Sequence, residues 1–274
     1  ETYVAWCWKA GGNSNTFNVD GKGYATQAAA GIHAGDLSLT GASVNTKSGF
    51  SIITWTGDGN ASADVGTGLS SDKTLSMAIV KKTSTTSEWQ VAHNASGQGL
   101  NFAYHTELNN PGGLSGSAPY FMGSQSSTNG DRLYLAGDGA ANTVTYVAYI
   151  WQERPGYSKF GKYEGNSDDP DGPFVYTGFR PAFIIMKKMG GTNFNWLLPY
   201  QKESDFNDGG ISFVFPSSDS SGGLDNSAYD LDFLSNGFKL KENANENNAS
   251  VTYTYMAFAA QSGISPYGTE TNAR

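Results

Sequence analysis

The chain repeats itself at one fixed offset. Trp89 and Trp196, Asn129-Gly130 and Asn236-Gly237, and Tyr146 and Tyr253 are each 107 residues apart (196 − 89, 236 − 129 and 253 − 146). The surrounding text agrees. Ile79-Val80-Lys81-Lys82 precedes the first Trp and Ile185-Met186-Lys187-Lys188 the second, while Leu133-Tyr134-Leu135 and Phe238-Lys239-Leu240 follow the two Asn-Gly pairs. A spacing kept from a Trp to a closing strand predicts two copies of one folding unit. Each copy is longer than a solenoid or propeller repeat, so each can close its own core.

The closing strand occurs a third time. Tyr3-Val4-Ala5-Trp6-Cys7-Trp8 resembles Tyr146-Val147-Ala148-Tyr149-Ile150-Trp151 and, more loosely, Tyr253-Thr254-Tyr255-Met256-Ala257-Phe258. With no body of its own before it, this first strand is expected to be the last strand of an upstream domain in a longer protein, the alternative being that it joins the first repeat's sheet. Cys7, between two tryptophans, is expected to be a buried apolar thiol. As the single cysteine it makes no intrachain disulfide, so stability must come from burial and assembly.

Thirty-five glycines, abundant Ser, Thr and Asn, and only 15% charged residues favour short strands joined by turns over helices. A formal charge of −8 repels phosphate backbones and anionic lipid, so nucleic acid is excluded as a principal partner. Membrane insertion is not expected either, since no stretch approaches the roughly 20 apolar residues of a spanning helix. Residues 13–48 are poor in large apolar side chains and read as a connector, with a helical turn over 25–30 closely bracketed by Gly23 and Gly31. From Phe50 onward, about seven short runs per unit are bounded by turn signals, the pattern of antiparallel sandwiches.

The predicted fold is therefore all-β: two tandem antiparallel β-sandwich domains, jelly-roll or lectin-like, related by duplication. The expected boundaries are an upstream strand at 1–12, a connector at 13–48, repeats at 49–154 and 155–264, and a tail at 265–274.

Chemistry leaves few marks. His33, His93 and His105 are not spaced as zinc ligands, and Ser115 in Gly113-Leu114-Ser115-Gly116 misses the nucleophile elbow by one position. Glycoside hydrolysis needs two carboxylates across a groove. Glu203, Asp205 and Asp208 form one acidic loop beside Tyr200 and Phe206, but the first repeat has no counterpart, so no catalytic residues and no enzymatic activity are expected. Asp168, Asp169 and Asp171 crowd a turn in a way that suits a calcium ion, without the spacing of an EF-hand; no other cofactor is expected. Trp55, Tyr104, Tyr163 and Tyr200 lie near polar loops and are the candidates for stacking on the apolar face of a sugar.

Several segments carry a resemblance. They are Asn15-Thr16-Phe17-Asn18-Val19-Asp20-Gly21-Lys22-Gly23-Tyr24-Ala25, Gly49-Phe50-Ser51-Ile52-Ile53, Asp171-Gly172-Pro173-Phe174-Val175-Tyr176-Thr177-Gly178-Phe179-Arg180-Pro181-Ala182-Phe183, Phe233-Leu234-Ser235-Asn236-Gly237-Phe238-Lys239-Leu240, and the ending Tyr255-Met256-Ala257-Phe258-Ala259 with Asn272-Ala273-Arg274. Across nearly its whole length the chain resembles large virion structural proteins of tailed phages of marine bacteria, especially cyanophages. In these a concanavalin-like lectin domain often precedes a duplicated β module. The resemblance implies a virion location on a tail fibre or other surface appendage, host surface glycan and other virion tail proteins as partners, and a homotrimer. It carries over no binding residues, and its motifs fall on predicted strands and turns, as if they encode fold. A non-binding structural or decoration protein and a polysaccharide depolymerase are the alternative readings.

Overall fold

A computed structural model describes residues 7–94, 105–112, 121–123, 129–189, 194–200, 211–216, 223–226 and 229–260. Among them the chain is all-β, with several sheets consistent with β-sandwich domains and one short 3₁₀ turn at Gly137–Ala140. The strands are β1 Phe17–Val19, β2 Lys22–Tyr24, β3 Leu39–Asn45, β4 Phe50–Thr56, β5 Asp64–Gly66, β6 Met77–Lys82, β7 Gln90–His93, β8 His105–Glu107, β9 Arg132–Tyr134 and β10 Thr145–Trp151. They continue with β11 Ser158–Glu164, β12 Phe174–Tyr176, β13 Pro181–Lys188, β14 Leu198–Tyr200, β15 Ile211–Val214, β16 Gly223–Asn226, β17 Leu231–Leu234, β18 Gly237–Leu240 and β19 Thr252–Ala259.

The described residues fall into two compact units, 7–87 with 121–123 and 129–152, and 88–94 with 105–112 and the described part of 153–260. This moves two expected boundaries. Residues 13–48 are not a connector: β1, β2 and β3 extend the first unit's sheet in the order β2-β1-β3-β4-β10-β6, with β1 parallel to β3 and β3 antiparallel to β4. Small side chains hid this, because Leu39, Ala42 and Val44 alternate inward with polar neighbours outward and Gly41 sits at a register shift. The expected helical turn is a run of tight turns, with Ala30 N–H donating to the Thr26 carbonyl. In the other direction, the β7–β8 hairpin belongs with the second unit although its sequence lies within the expected first repeat. The Trp196 indole N–H donates to the Glu107 carbonyl at 2.9 Å, and the Lys187 ammonium to the Pro111 carbonyl at 3.2 Å. Cys7 is exposed, not buried.

Each unit places its closing strand between two others: β10 between β4 and β6, β19 between β11 and β13. Tyr146 pairs with Trp55 on one side and Lys82 on the other; Tyr253 pairs with Tyr163 and Lys188. The rings follow the register. Trp55 stacks on Tyr146 with centroids 5.1 Å apart and planes 9° apart, and Tyr163 stacks on Tyr253 at the same 5.1 Å and 9°. Each closing-strand hydroxyl then clamps the loop before it. Tyr146 Oη donates to the Asp138 carbonyl and accepts from Ala141 N–H at 3.0 Å. Tyr253 Oη donates to the Asn245 carbonyl at 2.7 Å and accepts from Ala249 N–H at 2.8 Å.

The glycines of the two Asn-Gly pairs are required by close approach. A Cβ on Gly130 would lie 2.1 Å from the Lys73 carbonyl oxygen and 2.1 Å from Gln152 Nε2, and one on Gly237 would lie 2.1 Å from the Val175 oxygen.

Replacing Tyr253 by Phe keeps the stack and removes the clamp, leaving the Asn245 carbonyl and the Ala249 N–H without their partner. The expected cost is about 1–3 kcal/mol. Urea unfolding should show an earlier transition, and amide exchange should accelerate over residues 245–253. An unchanged transition would refute the clamp.

Candidate functional site

Two of the four aromatic candidates are core residues. Trp55 is 0% exposed, stacked on Tyr146, with its indole N–H donating to the Gly139 carbonyl at 3.0 Å. Tyr163 is buried against Tyr253 and Phe238, and its hydroxyl donates to the Asn247 carbonyl at 2.7 Å. Burial, with Tyr253 and Tyr255 beside it, holds the Tyr163 phenol well above its usual range. Neither ring has a free face for a sugar, which corrects their reading as ligand residues. Tyr200 is half-buried at the end of β14, opposite Ser212. Tyr104, Ser115 and the acidic loop of Glu203, Asp205 and Asp208 lie outside the described residues.

The Asp168–Asp171 turn is tied together by asparagines. Asn166 Oδ1 accepts from the Asp168 N–H at 3.0 Å and Asn166 Nδ2 donates to the Asp171 carbonyl at 2.9 Å. Asn248, 0% exposed, donates to the Asp168 carbonyl at 2.9 Å and accepts from the Asn166 N–H at 3.0 Å. The carboxylates diverge. Asp171 pairs with the Lys239 ammonium at 2.7 Å, which holds its carboxyl below the usual range. Asp169 lies near Glu242, whose pKa is raised by desolvation first and by the Asp169 and Asp230 carboxylates after it. Among the described residues, no group of three or more His, Cys, Asp or Glu converges on a metal position. The expected set of Asp168, Asp169 and Asp171 is thus not assembled.

Two ionisable groups are buried deep in the second unit, and sequence reasoning gave neither a role. Lys187 is 0% exposed on β13, donates to the Pro111 and Phe194 carbonyls and lies 5.9 Å from the Trp196 ring; burial lowers its pKa to about 8. His93 on β7 hydrogen-bonds the Tyr255 carbonyl at 3.0 Å and packs 6.0 Å from Phe160. Desolvation lowers its pKa to about 4, partly opposed by the Tyr255 carbonyl. A neutral imidazole bonding a carbonyl must be the donor at Nε2.

One aromatic surface remains. β12 is the edge of the sheet β12-β18-β17, with Phe174 opposite Lys239, Val175 opposite Phe238 and Tyr176 opposite Gly237. The inner face of the sheet is core: Val175, Leu231, Phe233, Phe238 and Leu240 are all buried. Directly paired residues share a face, so Phe174, Tyr176, Lys239, Gly237, Asp232 and Leu234 turn outward together, Leu234 being partly buried. Phe174 is 48% and Tyr176 64% exposed, the two exposed large hydrophobic residues among those described. Both rings lie near glycine. A Cβ on Gly237 would meet Phe174 Cε2 at 3.0 Å, and one on Gly178 would meet the Tyr176 hydroxyl at 3.6 Å and its ring at 3.8–3.9 Å. Phe174 and Tyr176 stand two residues apart on one strand, about 7 Å along it. Around them, Asp171 pairs with Lys239, and Lys241 lies 3.6 Å from Asp232.

The sequence reading took the segment from Asp171 to Phe183 as a fold motif throughout. The structure divides it: Val175, Thr177, Phe179 and Phe183 are buried, while Phe174 and Tyr176 are presented. Strand alternation alone signals that the neighbours of a buried Val175 point the other way, and this was the available clue.

The fold and this face define an all-β protein that presents paired aromatics on an outer sheet surface. The family described as a domain of unknown function, DUF7483, matches residues 1–262, and the chain belongs to it. No curated protein matches the chain and no solved structure does. No helix among the described residues is long and apolar enough to cross a membrane.

His93 makes the second unit acid-sensitive. Its folded pKa near 4 lies below the unfolded value of 6.5, so between these pH values the unfolded chain binds the additional proton. Stability is therefore complete above pH 6.5 and falls as the pH drops toward 4, by roughly 3 kcal/mol at most. Urea midpoints at pH 7 and pH 5 should differ for the wild type and differ less for His93→Gln. Equal pH dependence in the two proteins would refute the assignment.

Proposed function

We propose that this protein is a phage virion surface protein, a tail fibre or tail-associated receptor-binding protein, whose β-sandwich units contact host-cell glycans. It acts by adhesion and not by catalysis. The observation that carries the reading is the outward pair Phe174 and Tyr176 on a sheet face shared with Lys239, Asp232 and the partly buried Leu234. Aromatic faces bordered by carboxylates, amines and amides suit the alternating apolar and hydroxylated surfaces of a sugar. The net charge of −8 fits this partner better than nucleic acid or anionic lipid. The likeness to cyanophage virion proteins along the chain supports the location, with the homotrimer and the other tail proteins as the assembly it implies. Three copies of a weak site on one appendage gain avidity without any single tight contact.

The test is binding of the fluorescently labelled full chain to intact marine cyanobacterial cells, beside cells treated with periodate to cleave sugar diols. Saturable binding that periodate abolishes is the expected result. A folded chain that binds no cells would overturn the adhesin reading in favour of a decoration or spacer role within the virion.

A further inference from the structure

The two units treat the same strand pair in opposite ways. In each, a three-residue strand pairs antiparallel with the strand that follows the Asn-Gly turn: β5 with β9, and β12 with β18. The central residues point inward in both, with Val65 opposite Leu133 and Val175 opposite Phe238, all buried. The flanking residues point outward. In the first unit these are Asp64 and Gly66, and the chain's own residues 32–37 seal them. A Cβ on Gly66 would lie 2.0 Å from the His33 carbonyl oxygen, and one on Gly35 would lie 2.7 Å from the Asp64 carbonyl oxygen. Asp36 N–H donates to Asp64 Oδ1 at 2.8 Å, Leu37 N–H donates to the Asp64 carbonyl at 3.1 Å, and Arg132 pairs with the Asp64 carboxylate at 3.3 Å. Gln27 pins this cover by donating to the carbonyls of His33 and Ala34.

In the second unit the same two places hold Phe174 and Tyr176. They flank the inward Val175 as Asp64 and Gly66 flank Val65, and both rings remain largely exposed. The charges alongside are balanced: Lys239 is paired with Asp171, and Lys241 with Asp232. Among the described residues the face therefore offers two aromatic surfaces, the partly buried Leu234, polar side chains alongside, and lysines that each have a carboxylate partner, which leaves no surplus positive charge for a sulfate or uronate.

We infer that the Phe174–Tyr176 face of the second unit is the glycan-binding site, that its ligand is a neutral pyranose polysaccharide, and that the first unit's counterpart, sealed by residues 32–37, is structural. Sugar rings lie with their apolar C–H faces against Phe174 and Tyr176, and hydroxyls reach Asp171, Lys239 and Asp232 at the margin. This rests on the glycan-adhesin reading above.

The experiment uses surface polysaccharide extracted from marine cyanobacterial cells and split by anion exchange into neutral and anionic fractions. Affinity electrophoresis then measures retardation of the full chain by each. The wild type should be retarded by the neutral fraction, with little change on adding about 0.5 M salt, which screens ionic contacts. The double variant F174A/Y176A should lose about tenfold or more in affinity, and F174Y/Y176F, which keeps both rings, should retain it. Should the alanine variant fail a circular dichroism check of its fold, F174L/Y176L keeps apolar bulk without aromatic faces and should also lose binding. Undiminished binding by a folded variant lacking both rings would overturn the site while leaving the adhesin reading intact. Binding confined to the anionic fraction and abolished by salt would overturn the ligand class. A wild type that binds neither polysaccharide nor cells removes the adhesin reading, and the site with it.

Discussion

The stacked ring pair with its hydroxyl clamp is the constraint on which both units depend. Trp55 on Tyr146 and Tyr163 on Tyr253 each join the closing strand to its neighbour at the same pairing position. The tyrosine hydroxyl then reaches the loop eight residues earlier, at Asp138 and at Asn245. A large ring buried beside a central strand gains apolar burial along its body, and its one polar atom must still be satisfied. Bonding backbone groups of the preceding loop satisfies it and fixes where that loop crosses the sheet. In the first unit Gly139, within that loop, accepts the Trp55 indole N–H and sits where a Cβ would meet the Phe121 oxygen at 2.0 Å. Ring stack, loop and neighbouring segment are therefore placed together.

From this frame the outer surfaces follow. Once Val65 and Val175 turn into their cores, the residues on either side must face out, because strand side chains alternate. What happens to them depends on chain elsewhere. In the first unit, residues 32–37 run over Asp64 and Gly66 and use their own backbone N–H groups on the Asp64 carbonyl and carboxylate. In the second unit, Phe174 and Tyr176 fill the same positions and stay in contact with solvent. Two exposed aromatics on one strand cost solubility and contribute little to the core, which favours a binding role for them over a folding one.

Much of the fold was legible in the sequence. The apolar or alternating runs at 50–55, 182–187, 231–234 and 251–259, each bounded by turn residues, overlie β4, β13, β17 and β19. β1, β2 and β3 were missed for a physical reason. Their inward positions hold only Phe17 and Leu39 as large apolar side chains, beside Asn18, Ala42 and Val44, so no long apolar run marks them, and they are held by pairing with one another and with β4. The candidate site was hardly legible. Trp55 and Tyr163 sit near polar loops in sequence, yet their rings point into cores, and nearness to a loop along the chain does not determine the direction of a side chain.

The sequence by itself determined the all-β class, the 107-residue spacing of the anchors, the positions of the closing strands and the net acidic charge. These are local or compositional properties, carried by alternation, turn residues and net charge. Only the tertiary structure decided that residues 13–48 join the first sheet, that the β7–β8 hairpin belongs with the second unit, and that Phe174 and Tyr176 are uncovered while Asp64 and Gly66 are sealed. Each of these depends on which distant segment lies against a given surface. A pattern of alternation names the outward residues of a strand, but the segment that covers them, or leaves them open, is fixed by contacts far apart in the chain.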